Sequence, residues 1–204
     1  MDVQADRSPS LREVMGAYPT GVTVVGGSDA DGVPFGLTVN SFTSVSLDPP
    51  LVLVCIGHGS TWHDELAKAQ CFAVSVLAAD QQQTAVRFAQ EPSEGRFDDV
   101  PWTRGENGAP ILEGVVAWME CAVRTVIDGG DHSILIGQID RSGVSDRPAL
   151  LFHRGRLGSS HGRLVVVDER VEPSDERSEP SGGRSDTPGG RSDASGGRSG
   201  VSET

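Results

Sequence analysis

The sequence predicts a mainly β protein, an antiparallel β-barrel or sandwich with a few short helices. Short alternating or β-branched apolar runs recur along the chain, polar and glycine-rich turns separate them, and few helical patterns lie between them. Helices do not alternate with the strands as they would in βαβ units, so a nicotinamide enzyme of the Rossmann type is not expected.

The N-terminal residues predict a loose end followed by a short helix. Residues 1–9 carry no periodic apolar pattern and are interpreted as a flexible N-terminus. Ser10 and Glu13 have the spacing of a capping box for a helix over residues 11–17, and Pro19 ends it.

A hairpin and a buried strand come next. Residues 20–26 form a β-branched run, residues 28–32 are turn formers, and residues 33–39 are predicted as the returning strand. Pro49–Pro50 interrupts the strands, and the apolar run 51–56 predicts a buried one.

The middle of the chain combines one strand, one helix and a long polar connection. Residues 71–77 predict a buried strand, and Asp80 is placed to cap a helix over residues 81–89. Residues 91–108 are polar and rich in Gly and Pro, and a connection of this length is either functional or a surface loop with its aromatic residues tucked down.

Three further strands are predicted before the composition changes. Residues 115–127 alternate, with odd positions apolar and Glu120 on the opposite face, and residues 132–139 and 149–153 follow after turns. Residues 168–204 form heptads rich in Gly, Ser, Arg and Asp without a consistently apolar position, which predicts a disordered tail.

Charge and cysteine usage restrict the classes of function. The chain has 204 residues and a formal charge of −12, which suits one domain and argues against nonspecific nucleic-acid binding. Cys55, Cys71 and Cys121 lie in apolar runs without metal-site spacing, so buried reduced thiols are expected. No apolar run approaches the roughly 20 residues that span a bilayer, and no signal-peptide pattern is present, which predicts a cytoplasmic protein.

Residues 35–63 hold the greatest concentration of potential ligand-binding groups. Small hydroxyl and amide side chains are interleaved with apolar ones in the first half of this stretch: Thr38, Asn40, Ser41, Thr43, Ser44 and Ser46. Such a strand edge suits a flat ligand with a polar rim, because these side chains donate and accept hydrogen bonds. The same residues are also ordinary in a turn and a half-exposed strand, so the pattern alone leaves both interpretations open.

The second half of the stretch has the pattern of an anion site. A buried strand runs into Gly57–Thr61, and helical character begins at Trp62, with Asp64 spaced to complete a capping box from Thr61. Free backbone N–H groups and the helix dipole favour a phosphate at such a corner. Ser60 and Thr61 add hydroxyl donors, and His58 adds an imidazole donor whose charge depends on its protonation. Many helices begin in this way without binding an anion.

Two histidine-containing turns complete the set of candidates. Gly129–His132 places an imidazole where a strand begins, and Asp131 either orients His132 or caps the turn. His153–Arg154 either presents a cation to a phosphate or ribose or is a solvated pair at a strand end.

Four stretches together resemble the flavin reductase family of the split-barrel, FMN-binding type. They occur in the family's order within residues 10–160: YPTGVTVV, LTVNSFTSVSLDPP, GDH and LLFHRG. The resemblance implies an antiparallel, Greek-key-like split β-barrel over residues 10–167. It also implies an NAD(P)H-dependent flavin oxidoreductase, of the class acting on CH–NH type donors, that supplies reduced flavin to a partner monooxygenase. A homodimer is implied as well.

The same resemblance implies roles for individual residues. FMN or FAD would accept a hydride from NADH or NADPH, and the protein would supply binding and geometry. His132 would serve the nicotinamide side of the flavin, seating NAD(P)H or assisting protonation, and is the candidate catalytic residue. The candidate cofactor-binding residues are Thr38, Val39, Asn40, Ser41, Ser44, Ser46, Cys55, Ile56, His58, Ser60, Thr61, Phe97 and Arg154. Leu157 stands where the family often has an aromatic residue, which removes one stacking partner.

Two alternatives share the same barrel. One is a non-enzymatic flavin- or haem-binding protein, for which NADH oxidation would be absent. The other is an oxidase that retains its flavin, for which bound flavin would survive dialysis.

Overall fold

The computed structural model describes residues 8–90 and 95–160. The predicted tail, most of the predicted flexible N-terminus and residues 91–94 of the long connection lie outside the described residues.

The described residues form three short helices and twelve strands. The helices are α1 (Leu11–Gly16), α2 (His63–Lys68) and α3 (Gln82–Gln90). The strands are β1 (Thr20–Gly21), β2 (Thr23–Ser28), β3 (Pro34–Val39), β4 (Thr43–Leu47), β5 (Pro50–Gly57), β6 (Cys71–Val76), β7 (Trp102–Arg104), β8 (Pro110–Leu112), β9 (Ala117–Asp128), β10 (His132–Val144), β11 (Leu150–His153) and β12 (Arg156–Ser159). Within these ranges no helix is long and apolar enough to cross a membrane.

Seven strands form one sheet that closes on itself. Their order is β3-β2-β6-β9-β10-β5-β4, and every pairing is antiparallel in the described residues. If the sheet were flat, its edge strands β3 and β4 would lie about 29 Å apart, at about 4.8 Å per strand. Only residues 40–42 connect them, and this link spans at most about 14 Å. The sheet must therefore curl until its two edges approach, which gives the predicted barrel with an open seam between β3 and β4.

The barrel interior and the space under α3 hold two apolar clusters. The first fills the barrel and includes Phe72, Val54, Ile56 and Leu135, all fully buried. The second lies where α3 and β11 cover β2 and includes Phe88, with Phe97 and Trp102 packed against it. Burial of this apolar surface is the main stabilising term for the fold.

The helix-start predictions had different outcomes. In α1 both halves of the capping box form, since Ser10 and Glu13 exchange backbone and side-chain hydrogen bonds. The capping box predicted from Thr61 to Asp64 is wrong: Trp62 occupies the N-cap of α2 without a side-chain bond to the helix. Asp64 instead contacts the ring of His63, its neighbour.

The apolar face predicted for β9 is present only in its first half. Of the odd positions predicted to be apolar and buried, Met119 and Cys121 are buried, whereas Ile127 is 46% exposed. The neighbouring strand β6 pairs with β9 only as far as Ala122. Beyond that point β9 pairs with β10 alone, while β10 is paired with β5 on its other side, so this half of β9 is an edge of the sheet and its side chains are mostly exposed.

Glu120 is a buried carboxylate that anchors the connection between β7 and β8. It is 2% exposed although the sequence placed it on the polar face of β9. Its Oε1 accepts a hydrogen bond from the Asn107 backbone N–H at 2.9 Å, and its Oε2 lies 3.6 Å from Nε of Arg141. A buried carboxylate needs such partners to offset its desolvation.

Replacing Glu120 with Ala is expected to lower the free energy of unfolding by about 2 kcal/mol, because the Asn107 N–H loses its acceptor and Arg141 loses one ion-pair partner. Urea unfolding measures this change. Glu106→Ala is the matched control, since Glu106 pairs with the same Arg141 but is mostly exposed, and it should cost less than about 1 kcal/mol. Equal losses in the two variants would contradict the anchoring role of Glu120.

Candidate functional site

The seam of the barrel, residues 40–42, carries the first group of candidate residues. Asn40 is exposed there, directly after β3. Ser41 is tied to β5, because its hydroxyl donates to the carbonyl of Cys55 at 2.8 Å and accepts from the Cys55 N–H at 3.1 Å. This pair of bonds extends the β4–β5 ladder into the link that crosses the seam.

Two of the predicted hydrogen-bonding hydroxyls are already engaged within the protein. Thr38 donates its hydroxyl proton to the carbonyl of Ala85 in α3 at 2.8 Å. The Ser41 hydroxyl likewise donates its hydrogen bond to the carbonyl of Cys55. Because a hydroxyl has one proton, both side chains are left only as acceptors for a ligand. Asn40, with two donors and a carbonyl, is the versatile group at the seam.

A cleft opens on both sides of Asn40. One part, of about 320 Å³, lies towards α3 and is lined by Val22, Thr38, Asn40, Ala85, Val86, Ala89, Phe152, Gly155 and Leu157. The other, of about 750 Å³, lies towards α1 and is lined by Pro9, Arg12, Glu13, Val14, Met15, Gly16, Asn40, Phe152, Arg154 and Gly155. A third cavity of about 620 Å³, beyond Val86 and Leu157, contains none of the predicted site residues.

Arg154 faces this cleft from the turn between β11 and β12. Its backbone has φ +50° and is followed by Gly155 at φ +75°, the left-handed geometry of a tight turn. Its N–H donates to the Gly16 carbonyl at the end of α1, which holds the turn in place. Arg154 and Arg12 supply the two cations that line the larger part of the cleft.

The second group of candidates lies at the rim where β5 ends and β10 begins. The register pairs Gly57 with His132, and a side chain at Gly57 would lie 3.5 Å from Nε2 of His132. Nδ1 of His132 is 2.6 Å from Oδ1 of Asp131. The hydrogen bond from His132 lowers the pKa of Asp131, so the carboxylate stays ionised and orients the ring.

Three more side chains join this rim. The hydroxyl of Ser133 lies 2.8 Å from Nε2 of His63 and 3.3 Å from Nε2 of His58. The two imidazoles meet edge to face at 4.8 Å between ring centroids. His58 is also fixed through its backbone N–H, which donates to the carbonyl of Asp131.

The seam and the rim are neighbours along β5. Ser41 binds the backbone of Cys55, and Cys55 precedes Gly57 by two residues. Two residues of extended strand cover about 7 Å. The Asn40 segment and the turn at residues 57–61 therefore lie at the same end of the barrel.

The remaining predicted residues differ in what their side chains can reach. Val39 and Ile56 are 9% and 0% exposed and belong to the barrel core, so neither offers its side chain to a ligand. Cys55 is half-buried, and burial raises the pKa of its thiol, which keeps it neutral.

The edge strand and the corner present their hydroxyls more openly. Ser44 and Ser46 lie on the edge strand β4, on either side of an irregularity at Val45. Ser60 closes a turn through its N–H to the carbonyl of Gly57, and Thr61 is exposed. The helix that follows has six residues, so it adds less of a dipole than the sequence suggested.

The ring of Phe97 packs against other aromatic side chains of the described residues. Its ring meets Phe88 at 4.9 Å and Trp102 at 5.6 Å between centroids, both edge to face. It belongs to the cluster under α3. Its assignment to the flavin stays a prediction that follows from the resemblance alone.

Sequence reasoning missed four residues at these two places: His63 and Ser133 at the rim, and Arg12 and Phe152 in the cleft. His63 lies two residues after Thr61, and Ser133 directly follows His132. Their closeness to these predicted site residues was a signal that could have found them. Arg12 and Phe152 reach the cleft only through the packing of α1 and β11, which no local pattern shows. Among residues 8–90 and 95–160, no group of His, Cys, Asp and Glu side chains has the arrangement of a metal site.

Comparison with known proteins identifies the domain. Residues 15–161 match the family described as flavin reductase like domain. The chain is 48% identical over 153 residues to the NADH-dependent FAD reductase of Streptomyces globisporus, covering 72% of this chain and 82% of that protein. It is 44% identical over 146 residues to the stachydrine N-demethylase reductase subunit Stc3 of Rhizobium meliloti, covering 72% of this chain but 63% of the relative.

A solved structure agrees with the sequence matches. The S. globisporus NADH:FAD oxidoreductase SgcE6, in complex with NAD and FAD fragments, superposes with a TM-score of 0.69 at 43% identity, covering 78% of this chain and 93% of that one. The split barrel predicted from the sequence is thus confirmed. Since the matched domain spans most of the chain and these identities exceed 40%, the protein belongs to the flavin reductase-like family.

Proposed function

We propose that this protein is an NAD(P)H-dependent flavin reductase, of the oxidoreductase class acting on CH–NH type donors. It transfers a hydride from NADH or NADPH to FMN or FAD and releases reduced flavin to a partner monooxygenase. The observation that carries the proposal is the cleft at Asn40, which opens beside the histidine-lined rim along β5. Relatives that bear the names of FAD reductase and demethylase reductase subunit support it.

The seam residues hold the flavin ring. Asn40 donates and accepts at the polar edge of the ring, while Thr38 and Ser41 accept from its N–H or ribityl hydroxyl groups. Backbone atoms of Val39, Cys55 and Ile56 border the ring, and Ser44 and Ser46 line the open edge. Phe97 supports this region through the cluster under α3, and Arg154 meets a phosphate or ribose from the cleft.

The rim residues hold the anionic end and the hydride donor. His58, Ser60 and Thr61 contact the flavin phosphate at the corner. His132 sits beside Gly57 and seats the nicotinamide or assists protonation of the reduced flavin, with Asp131 orienting it. The flavin, as hydride acceptor, supplies the redox chemistry, and the protein supplies position and electrostatics.

The partner assignments are part of the same proposal. Reduced flavin reaches the monooxygenase by diffusion, so no stable complex is required. A homodimer is proposed because α1 buries none of its residues and exposes Leu11, Val14 and Met15 by 77%, 52% and 60%. A monomer in sedimentation at micromolar concentration would contradict the dimer. The three cysteines are free thiols in the structure, which suits the proposed cytoplasmic location.

Titration of the purified protein with FMN and FAD tests the proposal, with NADH oxidation measured before and after flavin addition. Flavin fluorescence should be quenched at micromolar protein, and NADH oxidation should depend on added flavin. Binding without NADH oxidation would favour a flavin-binding module, and flavin that survives dialysis would favour an oxidase. If neither FMN nor FAD bound, the reductase, the flavin-binding module and the oxidase would all be contradicted.

Asn40→Ala is expected to weaken flavin binding about three- to tenfold, because it removes hydrogen bonds of ordinary strength. Gln83→Ala is the matched amide control, since Gln83 is exposed on α3 and lines the separate cavity. The control should bind flavin like the unmodified protein. Equal affinities for all three proteins would remove Asn40 from the site.

A further inference from the structure

We propose that Ser133 is a positioning residue that fixes which nitrogen of His58 carries the proton, so that a flavin phosphate binds at the corner only after His58 takes up a second proton at Nδ1. The inference deepens the proposed function and rests on it. It names the group that meets the phosphate and the hydrogen-bonded chain that controls it.

The hydrogen-bonded chain starts at Asp64, which sets the tautomer of His63. Nδ1 of His63 lies 2.9 Å from Oδ1 of Asp64. An ionised carboxylate only accepts hydrogen bonds, so Nδ1 carries the proton. The bond from His63 lowers the pKa of Asp64, which keeps the carboxylate ionised. In the neutral ring of His63, Nε2 is therefore the acceptor.

Ser133 passes this constraint to His58. Its hydroxyl is 2.8 Å from Nε2 of His63 and has one proton, which goes to that acceptor. Ser133 is 7% exposed, so its partners come from the protein. Nε2 of His58, 3.3 Å away, must then be the donor to the Ser133 oxygen. The direction of donation is His58 to Ser133 to His63 to Asp64.

Neutral His58 is consequently unable to receive an anion at its other nitrogen. With the proton on Nε2, Nδ1 presents a lone pair, and phosphate oxygens are acceptors too. No hydrogen-bond partner of Nδ1 is found among the described residues, and the side chain is 41% exposed, so this nitrogen is open to a ligand.

The surrounding charges strengthen the requirement for a second proton. Oδ1 of Asp128, at the end of β9, lies 3.9 Å from Nε2 of His58. The titratable groups that face or adjoin the ring are His63 and Asp64 from α2, Asp128 from β9, Asp131 from the turn and His132 from β10. Three of them are carboxyl groups, which repel a phosphate dianion unless His58 is cationic.

Nitrogen NMR of the histidine side chains at alkaline pH tests the first half of the proposal. The unmodified protein should show His58 as the Nε2–H tautomer. His63→Phe removes the acceptor, so the Ser133 proton turns to Nε2 of His58 and the neutral ring should shift to Nδ1–H. Ser145→Ala, which removes a hydroxyl bonded only to backbone carbonyls, should leave the tautomer unchanged. An Nδ1–H tautomer in the unmodified protein would overturn the proposal.

The pH dependence of binding tests the second half, with FMN compared against riboflavin, which lacks the phosphate. In the unmodified protein the FMN-to-riboflavin affinity ratio should fall as the pH rises and His58 loses its second proton, by at most tenfold per pH unit for one proton. In His63→Phe the neutral ring already has a proton on Nδ1, so the ratio should fall less steeply, and only through the loss of positive charge. Because ionisation of the FMN phosphate itself is common to both proteins, it cancels in their comparison.

Ser133→Ala supplies a second, independent variant. It should weaken the pH dependence of the FMN-to-riboflavin affinity ratio, because without the Ser133 hydroxyl the neutral ring of His58 is free to carry its proton on Nδ1. Inorganic phosphate should compete with FMN and not with riboflavin. A profile with the original slope in His63→Phe or in Ser133→Ala would refute the positioning role. Riboflavin-dependent NADH oxidation on the same preparations tests the proposed function separately, since riboflavin has no phosphate for His58 to contact.

Discussion

Replacing His132 with Ala is expected to lower the rate of hydride transfer about 100-fold at saturating flavin, as loss of a positioned acid–base side chain commonly does. His132 lies against Gly57 at the rim, and the carboxylate of Asp131 orients its ring. Flavin affinity should change less than about threefold, because in the proposed site the contacts to the flavin ring come from the seam residues. Single-turnover mixing of the flavin-loaded protein with NADH measures both quantities.

Asp131→Asn provides a graded comparison for this prediction. The amide keeps the size of the side chain but loses the charge, so His132 should keep its place with a weaker orientation. A reduction of about two- to fivefold is expected, the size of a weakened hydrogen bond at an exposed site. If His132→Ala transferred hydride at the original rate, the residue would have no role in the reaction.

The largest effect on stability is expected at Phe72. Its ring is 0% exposed and fills the centre of the barrel. Phe72→Ala should lower the free energy of unfolding by about 3–5 kcal/mol, through lost burial and the cavity left behind. Urea unfolding followed by circular dichroism gives the value. A loss below about 1 kcal/mol would show that the barrel core is packed differently.

Gly137 on β10 offers a sharper version of the same test. A Cβ atom there would lie 2.5 Å from Cζ of Phe72, which is too close for any real contact. Gly137→Ala alone should therefore cost about 1–3 kcal/mol as overpacking. In a Phe72→Leu background the clashing atom is absent, so the same substitution should cost at least about 1 kcal/mol less. Additive effects would contradict the close approach.

Local patterns predicted the parts of the fold that depend on local interactions. The capping box at Ser10 and the hairpin of β2 and β3 formed as predicted, because spacing and turn residues determine both. Barrel closure was not among them: the strand patterns left barrel and sandwich open, and only the family resemblance implied the split barrel. The capping box at Thr61 failed because Trp62 took the N-cap, with its ring stacked on Phe35 at 4.7 Å. That contact joins distant parts of the chain.

The candidate site was predictable as a list of residues but not as a set of bonds. The sequence marked Thr38 and Ser41 as groups that both donate and accept hydrogen bonds, whereas their hydroxyl protons are committed to the carbonyls of Ala85 and Cys55. It passed over Ser133 and His63, which meet only because β10 pairs with β5 beside α2. Each of these contacts joins elements that are far apart in the chain, and an amino-acid pattern records only what is near.

The buried carboxylate illustrates the same limit. Alternation assigned Glu120 to the polar face of β9, and it does lie there. That face is covered, however, by the segment carrying Asn107, which supplies the N–H that satisfies the carboxylate. Only the tertiary fold brings this cover into place.

Anaerobic mixing of NADH with flavin bound to the protein tests the central claim most directly, with the absorbance of oxidised flavin as the signal. If the seam and the rim bring nicotinamide and flavin together, the absorbance should disappear at a rate that saturates with NADH, within about 1–10³ s⁻¹. Flavin that is bound yet stays oxidised under NADH would contradict the assignment of this barrel end as a hydride-transfer site.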